Sequence, residues 1–207
     1  MKHKKQFLAE LESIAEDKLR LLGFRRMKYI HLCPLVEGVF GWLGFGTSVC
    51  RSDGRVGITP AIGVRHERVE RIVQRLGGTS NSALAATIST TLGYVTPSEQ
   101  FMEWLYEPEP FDYRSECERM VQAIEVYGIP FMRAHVDIEC IRRDLEALRF
   151  TVKESTVYRL PVVYMLTGER EMASEYIKKE RDELGGRDDL AARQYRMFSS
   201  NCLREIS

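Results

Sequence analysis

The chain lacks several features that mark specialised classes of protein. No apolar run approaches the roughly 18 residues that a membrane-spanning helix requires. The basic start at Met1 is soon followed by Glu10, Glu12 and Glu16, so no secretory signal peptide is expected. The cysteines number five and have no Cys-x-x-Cys spacing, which fits neither a disulfide framework nor a zinc knuckle. These absences predict a soluble, cytoplasmic protein with reduced cysteines.

Familiar catalytic and cofactor patterns are also missing. No Gly-x-Ser-x-Gly or His-Glu-x-x-His occurs, and no cofactor or metal is expected. The glycines Gly41, Gly44 and Gly46 lie inside a predicted strand and are not at a strand-to-helix junction, which favours close packing over phosphate binding. A nucleophilic cysteine is disfavoured, because Cys117 and Cys140 fall on or beside apolar helical faces. Whether the chain is an enzyme stays open, with a non-enzymatic function favoured.

Two histidine patterns are candidate sites. His31-x-Cys33 places two side chains on one face of a strand, but two ligands do not complete a zinc site. His135 and Glu139 are spaced to share a helical face, which predicts a solvated hydrogen-bonded pair more readily than an acid–base site.

What the chain does contain is enough apolar material for a core. It has 207 residues, of which 44% are hydrophobic, including nine Phe and nine Tyr. A first helix is predicted over 5–22, strands over 27–33, 36–50 and 55–64, a helix over 67–76, and a strand over 87–95. Residues 1–207 are expected to form a single domain. The alternative is a subdivision into a sheet-containing region, residues 1–130, and a helical region, residues 131–207.

The second half has the spacing of helices, with a chain break expected at Gly128-Ile129-Pro130. Asp188 or Asp189 is placed to cap the last helix. The run from Val157 to Leu166 is ambiguous between a strand and a short helix begun by Pro161. Together these patterns predict an α+β fold, an antiparallel β-meander flanked by helices with a helical C-terminal half.

The most unusual segment interleaves aromatic and acidic residues with two prolines, over 103–113. Trp and Tyr are enriched at binding hot spots, and prolines reduce the entropy lost on binding. The alternative is that the aromatic rings anchor a loop on the core. The candidate partner-binding residues are Glu103, Trp104, Tyr106, Glu107, Glu109, Phe111, Asp112 and Tyr113.

Charge is unevenly distributed although the totals cancel, with 30 basic and 30 acidic residues. Residues 1–80 have 14 basic and 8 acidic side chains, whereas residues 81–130 have 2 basic and 8 acidic ones. Either the two segments neutralise each other, or the acidic segment forms a surface for a basic partner.

Two short motifs carry a resemblance to a family. Leu21-Leu22-Gly23-Phe24-Arg25-Arg26 follows the first helix, and Tyr127-Gly128-Ile129-Pro130-Phe131 follows a later one. In these motifs and in element order, about the first 135 residues resemble uncharacterised bacterial α+β proteins of unknown function, some of which are immunity proteins beside toxins. The resemblance implies no catalytic residues.

The leading expectation is therefore a non-enzymatic, immunity-like protein that binds a basic protein partner through segment 103–113. The first alternative is a small-ligand-binding domain or enzyme with a pocket between the sheet and the helices. A weaker alternative is nucleic-acid binding through the basic run Arg25–Tyr29 or a helical stripe of arginines, for which the charge balance is too neutral. The stripe consists of Arg65, Arg68, Arg71 and Arg75.

Overall fold

The computed structural model describes residues 13–49, 55–78, 84–106 and 113–206. They form the predicted α+β fold, a six-stranded antiparallel sheet with most of the helices in the C-terminal half. Two compact units are distinguished: the first runs to Val64 and from Ser89 to Ala134, the second from Arg65 to Ile88 and from His135 onward. This boundary differs from the predicted subdivision at residue 130, because residues 65–88 belong to the second unit.

The sheet lies almost entirely in the first unit. It runs in the order β1-β2-β3-β4-β5, and β6 also pairs with β4. The strands are β1 (Arg25–Met27), β2 (Ile30–Val36), β3 (Val39–Val49), β4 (Val56–His66), β5 (Ile88–Thr91) and β6 (Trp104–Tyr106).

The predicted strand over 27–33 is wrong in one respect, since it contains a hairpin. Met27 pairs with Ile30, so β1 and β2 are joined by the two residues Lys28 and Tyr29. Lys28 has a φ of 60°, a conformation that favours Gly or Asn in such turns. Because neither residue type stands there, the sequence contains no turn signal.

The predicted strand over 87–95 is also shorter than expected. It ends at Thr91, and a 3₁₀ turn follows over Leu92–Val95. Gly93 lies in this turn, and a Cβ there would overlap the carbonyl oxygen of Gln100. The close approach of two backbone segments therefore requires glycine at this position.

The helices of the first unit are α1 (13–21), α3 (Tyr113–Ala123) and α4 (Ile129–Ala134). The start of the predicted first helix, 5–12, lies outside the described residues. The predicted break at Gly128-Ile129-Pro130 is wrong: a π-helical turn, Ile124–Gly128, connects α3 to α4 without interruption. Pro130 follows this π turn closely, and a local π-helical irregularity is one of the ways in which a continuing helix accommodates a proline.

The strand glycines act in packing, as the sequence predicts. A Cβ on Gly44 would be 2.7 Å from the ring of Trp42, and one on Gly41 would be 2.7 Å from Met132 Sδ. These glycines lie within β3, so the phosphate-loop alternative has no strand-to-helix junction to use.

The second unit is helical. Its helices are α2 (Glu67–Arg75), α5 (Ile138–Glu146), α6 (Lys153–Thr167), α7 (Arg170–Leu184) and α8 (Leu190–Ile206). The ambiguous run from Val157 is helical, in the middle of α6, and its helix begins at Lys153 rather than at Pro161. Residues 158–164 are all buried, so this part of α6 lacks the polar face from which the 3.6-residue helical period is recognised in a sequence. Asp189 caps α8 by accepting the N–H of Ala192, as predicted.

A buried ion pair joins α2 to α6. Arg159 donates from Nε and Nη2 to the Glu70 carboxylate at 2.8 and 3.1 Å, and both side chains are buried. The Thr87 hydroxyl donates to the same carboxylate at 2.9 Å. Paired and hydrogen-bonded in this way, the buried charges are tolerated.

The predicted arginine stripe on α2 is shorter than expected, because one of its four residues is not at the surface. Arg65 precedes the helix and is buried, donating to the Ala85 carbonyl at 2.7 Å. Arg71 pairs with Glu67, and Arg75 with Glu205. Arg68, Arg71 and Arg75 are exposed, so the stripe at the surface of α2 has three members, two of which are paired with carboxylates.

Candidate functional site

One face of the sheet presents a row of side chains to α1 and α3. Because side chains alternate along a strand, Leu43, Phe45 and Thr47 of β3 share a face. His31 lies opposite Leu43, and Arg26 lies opposite His31 in the next pair. The row therefore crosses three strands, with Arg26 at the edge of the sheet.

The same face continues on β4 and β6 and is covered by helices. Val56 pairs with Tyr106, which places Tyr106 and Ile58 on this side. The covering helices are linked by an ion pair between Lys18 of α1 and Glu118 of α3, at 3.0 Å.

A cavity of about 230 Å³ remains between this face and the helices. Its described polar lining consists of Arg26, Lys28, Tyr29, His31 and Thr47. Its described apolar lining consists of Ala15, Phe45, Ile58, Tyr106, Cys117 and Met120. The cavity thus has an apolar interior, with polar groups from β1, the hairpin turn, β2 and β3.

The charge of the lining is positive. Arg26 and Lys28 line the cavity, and no carboxylate is among the described lining residues. Arg26 Nη1 is 3.3 Å from Glu16, and its Nε donates to the Lys28 carbonyl at 3.1 Å. Within the described stretches of the chain, no carboxylate lies within 4 Å of the Lys28 ammonium. An ammonium group at an apolar cavity is suited to hold an anion.

The remaining groups of the cavity suit binding better than catalysis. Burial raises the pKa of Cys117 to about 11, so the thiol is a weak nucleophile at neutral pH. Burial also raises the pKa of Tyr106, whose hydroxyl donates to Met120 Sδ at 3.5 Å. His31 is buried and packs edge-on against Phe45, with ring centroids 5.6 Å apart.

The predicted partner segment is only partly described. Trp104 and Tyr106 are buried, at 7% and 0% exposure, because they occupy the inner face of β6. Their rings therefore anchor the strand on the core, which is the alternative the sequence left open. The predicted residues Glu107, Glu109, Phe111 and Asp112 lie outside the described residues. Tyr113 begins α3, and its side chain also lies outside them.

Glu103 is exposed but contributes to the fold. Its carboxylate accepts a hydrogen bond from the Ser48 hydroxyl at 2.5 Å. A Cβ on Gly57 would overlap this carboxylate, so glycine at that position lets the acid lie across β4. The sequence could not show this contact, because Ser48 and Glu103 are 55 residues apart.

The predicted pairing of His135 with Glu139 is wrong. α5 begins at Ile138 and is capped by Asp137, so His135 precedes the helix. His135 Nε2 lies 2.8 Å from Asp144 Oδ2, while Glu139 pairs with Arg142. The described residues include no cluster of three or more His, Cys, Asp or Glu able to hold a metal ion.

Sequence reasoning finds some residues of the cavity but gives them another use. Arg26 and Lys28 belong to the basic run weighed for nucleic acid, and His31 to the pattern weighed as a metal site. Sequence reasoning misses Phe45 and Thr47, and it misses the convergence of these two residues with the other three. That convergence depends on the register of three strands, which is not visible in one sequence. The left-handed backbone conformation of Lys28 also draws attention to this position, and only the structure shows it.

Comparisons with protein-family models, with curated proteins and with solved structures found no match to this chain. No helix within the described residues is both long and apolar enough to cross a membrane.

Proposed function

We propose that the first unit binds a compact organic anion in the cavity beneath the β1–β2 hairpin. The observation that carries the proposal is the lining: the Lys28 ammonium and the Glu16-paired Arg26 stand beside an apolar interior, and no carboxylate is among the described lining residues. A ligand with an anionic oxygen and a carbon skeleton matches both regions of the lining.

The conformation of Lys28 supports the same proposal. A residue with a side chain costs about 1–2 kcal/mol in the left-handed region, whereas glycine does not. Residues with such strain are more frequent at binding and active sites than elsewhere in proteins. At Lys28 the retained side chain provides an ammonium group at the cavity.

The size of the cavity limits the ligand. About 230 Å³ is below the roughly 300–1,000 Å³ of pockets for drug-sized ligands, so the ligand is small. Carboxylates and phosphate esters share the anionic oxygen that Arg and Lys recognise. His31 and Thr47 add hydrogen-bonding groups to the lining, which would orient the ligand rather than react with it.

The first experiment is a thermal-unfolding screen against small carboxylates and phosphate esters at fixed ionic strength. Neutral amides and alcohols of the same carbon skeletons serve as controls. A ligand present at 100 times its Kd stabilises by about 2.7 kcal/mol, which raises Tm by about 5–10 °C. If neutral analogues raise Tm as much as the anions, the cavity does not recognise charge and the proposal fails.

The Lys28→Gly variant then assigns the binding to this cavity. It removes the ammonium group and relieves the backbone, so we expect binding to weaken about ten-fold or more while the fold is kept. Glu99→Gly is the matched control, because Glu99 also has a positive φ, of 47°, and does not line the cavity. Equal affinities of the two variants would contradict the assignment.

A second candidate function is the immunity-like binding of a basic protein through segment 103–113. It is favoured by the groove beside β6, which is lined by the exposed Glu103 and Leu105 and by Glu116 of α3, whose carboxylate pairs with Arg119 in the same groove. β6 pairs with β4, and no other strand within the described residues pairs with it. An edge strand of this kind accepts a partner strand.

Charge reversal tests the second candidate. Glu107→Lys with Glu109→Lys should abolish capture of a stoichiometric basic partner from the native host. Glu99→Lys with Glu125→Lys makes the same change of charge elsewhere in the acidic segment and should leave capture intact. Capture that survives the first pair, or is lost equally with the second, rules out recognition by segment 103–113.

A further inference from the structure

A second cavity lies within the helical unit and differs in chemistry from the first. It has a volume of about 390 Å³ and lies between α6, α7 and α8. Its described walls include the aromatic side chains of Tyr158 and Tyr195 and the aliphatic side chains of Val157 and Leu184. Its volume falls in the usual range of small-molecule sites.

Carboxylates outnumber cations in the lining of this cavity. Glu154, Glu180 and Glu183 line it, against Lys153 and Arg187. Lys153 Nζ is 2.6 Å from Glu183 and 3.6 Å from Glu180, and so is shared between two acids.

Arg187 is also engaged, since its Nε is 2.9 Å from Asp189, which is not a lining residue. The cations present therefore do not compensate the carboxylates, and a further positive charge is electrostatically favoured in the cavity.

A separate observation points to a ligand. The Tyr195 side chain is 96% buried, as its exposure is 4%, and its hydroxyl has no hydrogen-bond partner among the described residues. Leaving a buried hydroxyl unsatisfied costs about 1–3 kcal/mol, and such groups are uncommon in native proteins. Tyr195 lines the cavity, and the nearby Glu180 carboxylate adds to burial in raising the pKa of its hydroxyl.

We propose that this cavity binds an organic amine, whose ammonium group donates to the Glu180 carboxylate and the Tyr195 hydroxyl. The hydrocarbon portion of the amine contacts Val157, Leu184 and the ring of Tyr158. Ammonium groups bind favourably against tyrosine faces as well as to carboxylates, so one ligand class satisfies both kinds of wall. This site is independent of the anion site, because it shares no residue with it.

The test is calorimetric titration of the full chain with butylamine, 1,4-diaminobutane and spermidine at constant ionic strength. Butanol and butyrate have related carbon chains without an ammonium group and serve as control ligands. We expect at least one amine to bind and both controls to fail. If no amine binds, or if butanol binds as well as butylamine, the proposal is overturned.

Two tyrosine variants locate the binding. Tyr195→Phe removes only the unpartnered hydroxyl, so we expect amine affinity to fall about ten-fold with thermal stability kept or raised. Tyr164→Phe is the matched control on α6, where the hydroxyl donates to Glu146 at 2.9 Å outside the cavity. It should lower stability and leave amine affinity unchanged. Equal amine affinity of Tyr195→Phe and wild type would overturn the assignment.

Glu180→Gln provides a second variant that keeps the size of the side chain. We expect it to weaken amine binding by at least as much as Tyr195→Phe, because it removes the charge. Lys28→Gly should bind amines like the wild type. An amine affinity that follows Lys28 rather than Glu180 would place the amine at the other cavity and overturn the proposal.

Discussion

Two charged sites, one in each unit, differ in whether their partners lie inside the protein. In the helical unit, Arg159 and Glu70 are buried and satisfy each other with help from Thr87. In the sheet unit, Lys28 lies beside a cavity with no carboxylate within 4 Å among the described residues. The difference gives a criterion that distinguishes charged side chains that stabilise the fold from charged side chains that are candidates to bind a ligand. The first kind has its partners inside the protein, and the second kind faces a cavity without them.

The largest expected loss of stability comes from breaking the buried ion pair between Arg159 and Glu70. Arg159→Met leaves the Glu70 carboxylate buried without its charged partner, which should destabilise the protein by about 3–5 kcal/mol. The measurement is the free energy of unfolding from urea denaturation. Arg71→Ala removes an exposed ion pair with Glu67 and should cost less than about 1 kcal/mol.

The double variant Glu70→Leu with Arg159→Met sharpens the same test. Apolar replacement of both partners avoids an unpaired buried charge, so we expect most of the lost stability to return. A double variant as unstable as Arg159→Met would show that Thr87 and the surrounding groups, and not the unpaired carboxylate, determine the loss.

A smaller change in stability, which depends on pH, is expected from His66, the residue immediately before α2. Burial and the nearby Arg68 lower its pKa in the folded state below the usual 6.5. The unfolded state therefore binds the proton first, and stability should fall as the pH drops below about 6.5. His66→Asn should flatten this slope between pH 7.5 and pH 5, measured by urea denaturation. A slope that is unchanged would assign the effect to other groups.

The smallest change in stability is expected at Lys28. Lys28→Gly should leave the free energy of unfolding unchanged or raise it by up to about 1 kcal/mol, because glycine relieves the left-handed backbone but costs more entropy. Glu99→Gly should behave in the same way. A clear loss of stability in Lys28→Gly would mean that the lysine side chain holds the hairpin, and that its conformation reflects folding rather than binding.

The sequence predicts those elements of the fold that follow local rules. The glycine-rich β3, the helix α2 and the cap at Asp189 all combine spacing with turn or capping chemistry. Predictions fail where tertiary packing overrides those rules. Pro130 is expected to break a chain that continues through a π turn, and α6 is ambiguous because all of its middle is buried.

The candidate site is less accessible to sequence reasoning than the fold. Its residues come from α1, α3 and five strands, so their convergence depends on register and on helix packing. The Lys28-Tyr29 turn breaks the usual turn chemistry, and this is why the hairpin is missed.

An amide chemical-shift titration by NMR would compare the two cavities in one sample. An organic anion from the thermal screen is expected to shift the amide signals of Lys28, His31 and Thr47, and to leave those of Tyr158 and Tyr195 in place. In Lys28→Gly the same additions should cause little change, whereas Glu99→Gly should respond like the wild type. Shifts confined to the helical unit, or spread evenly over both units, would contradict an anion site beneath the hairpin.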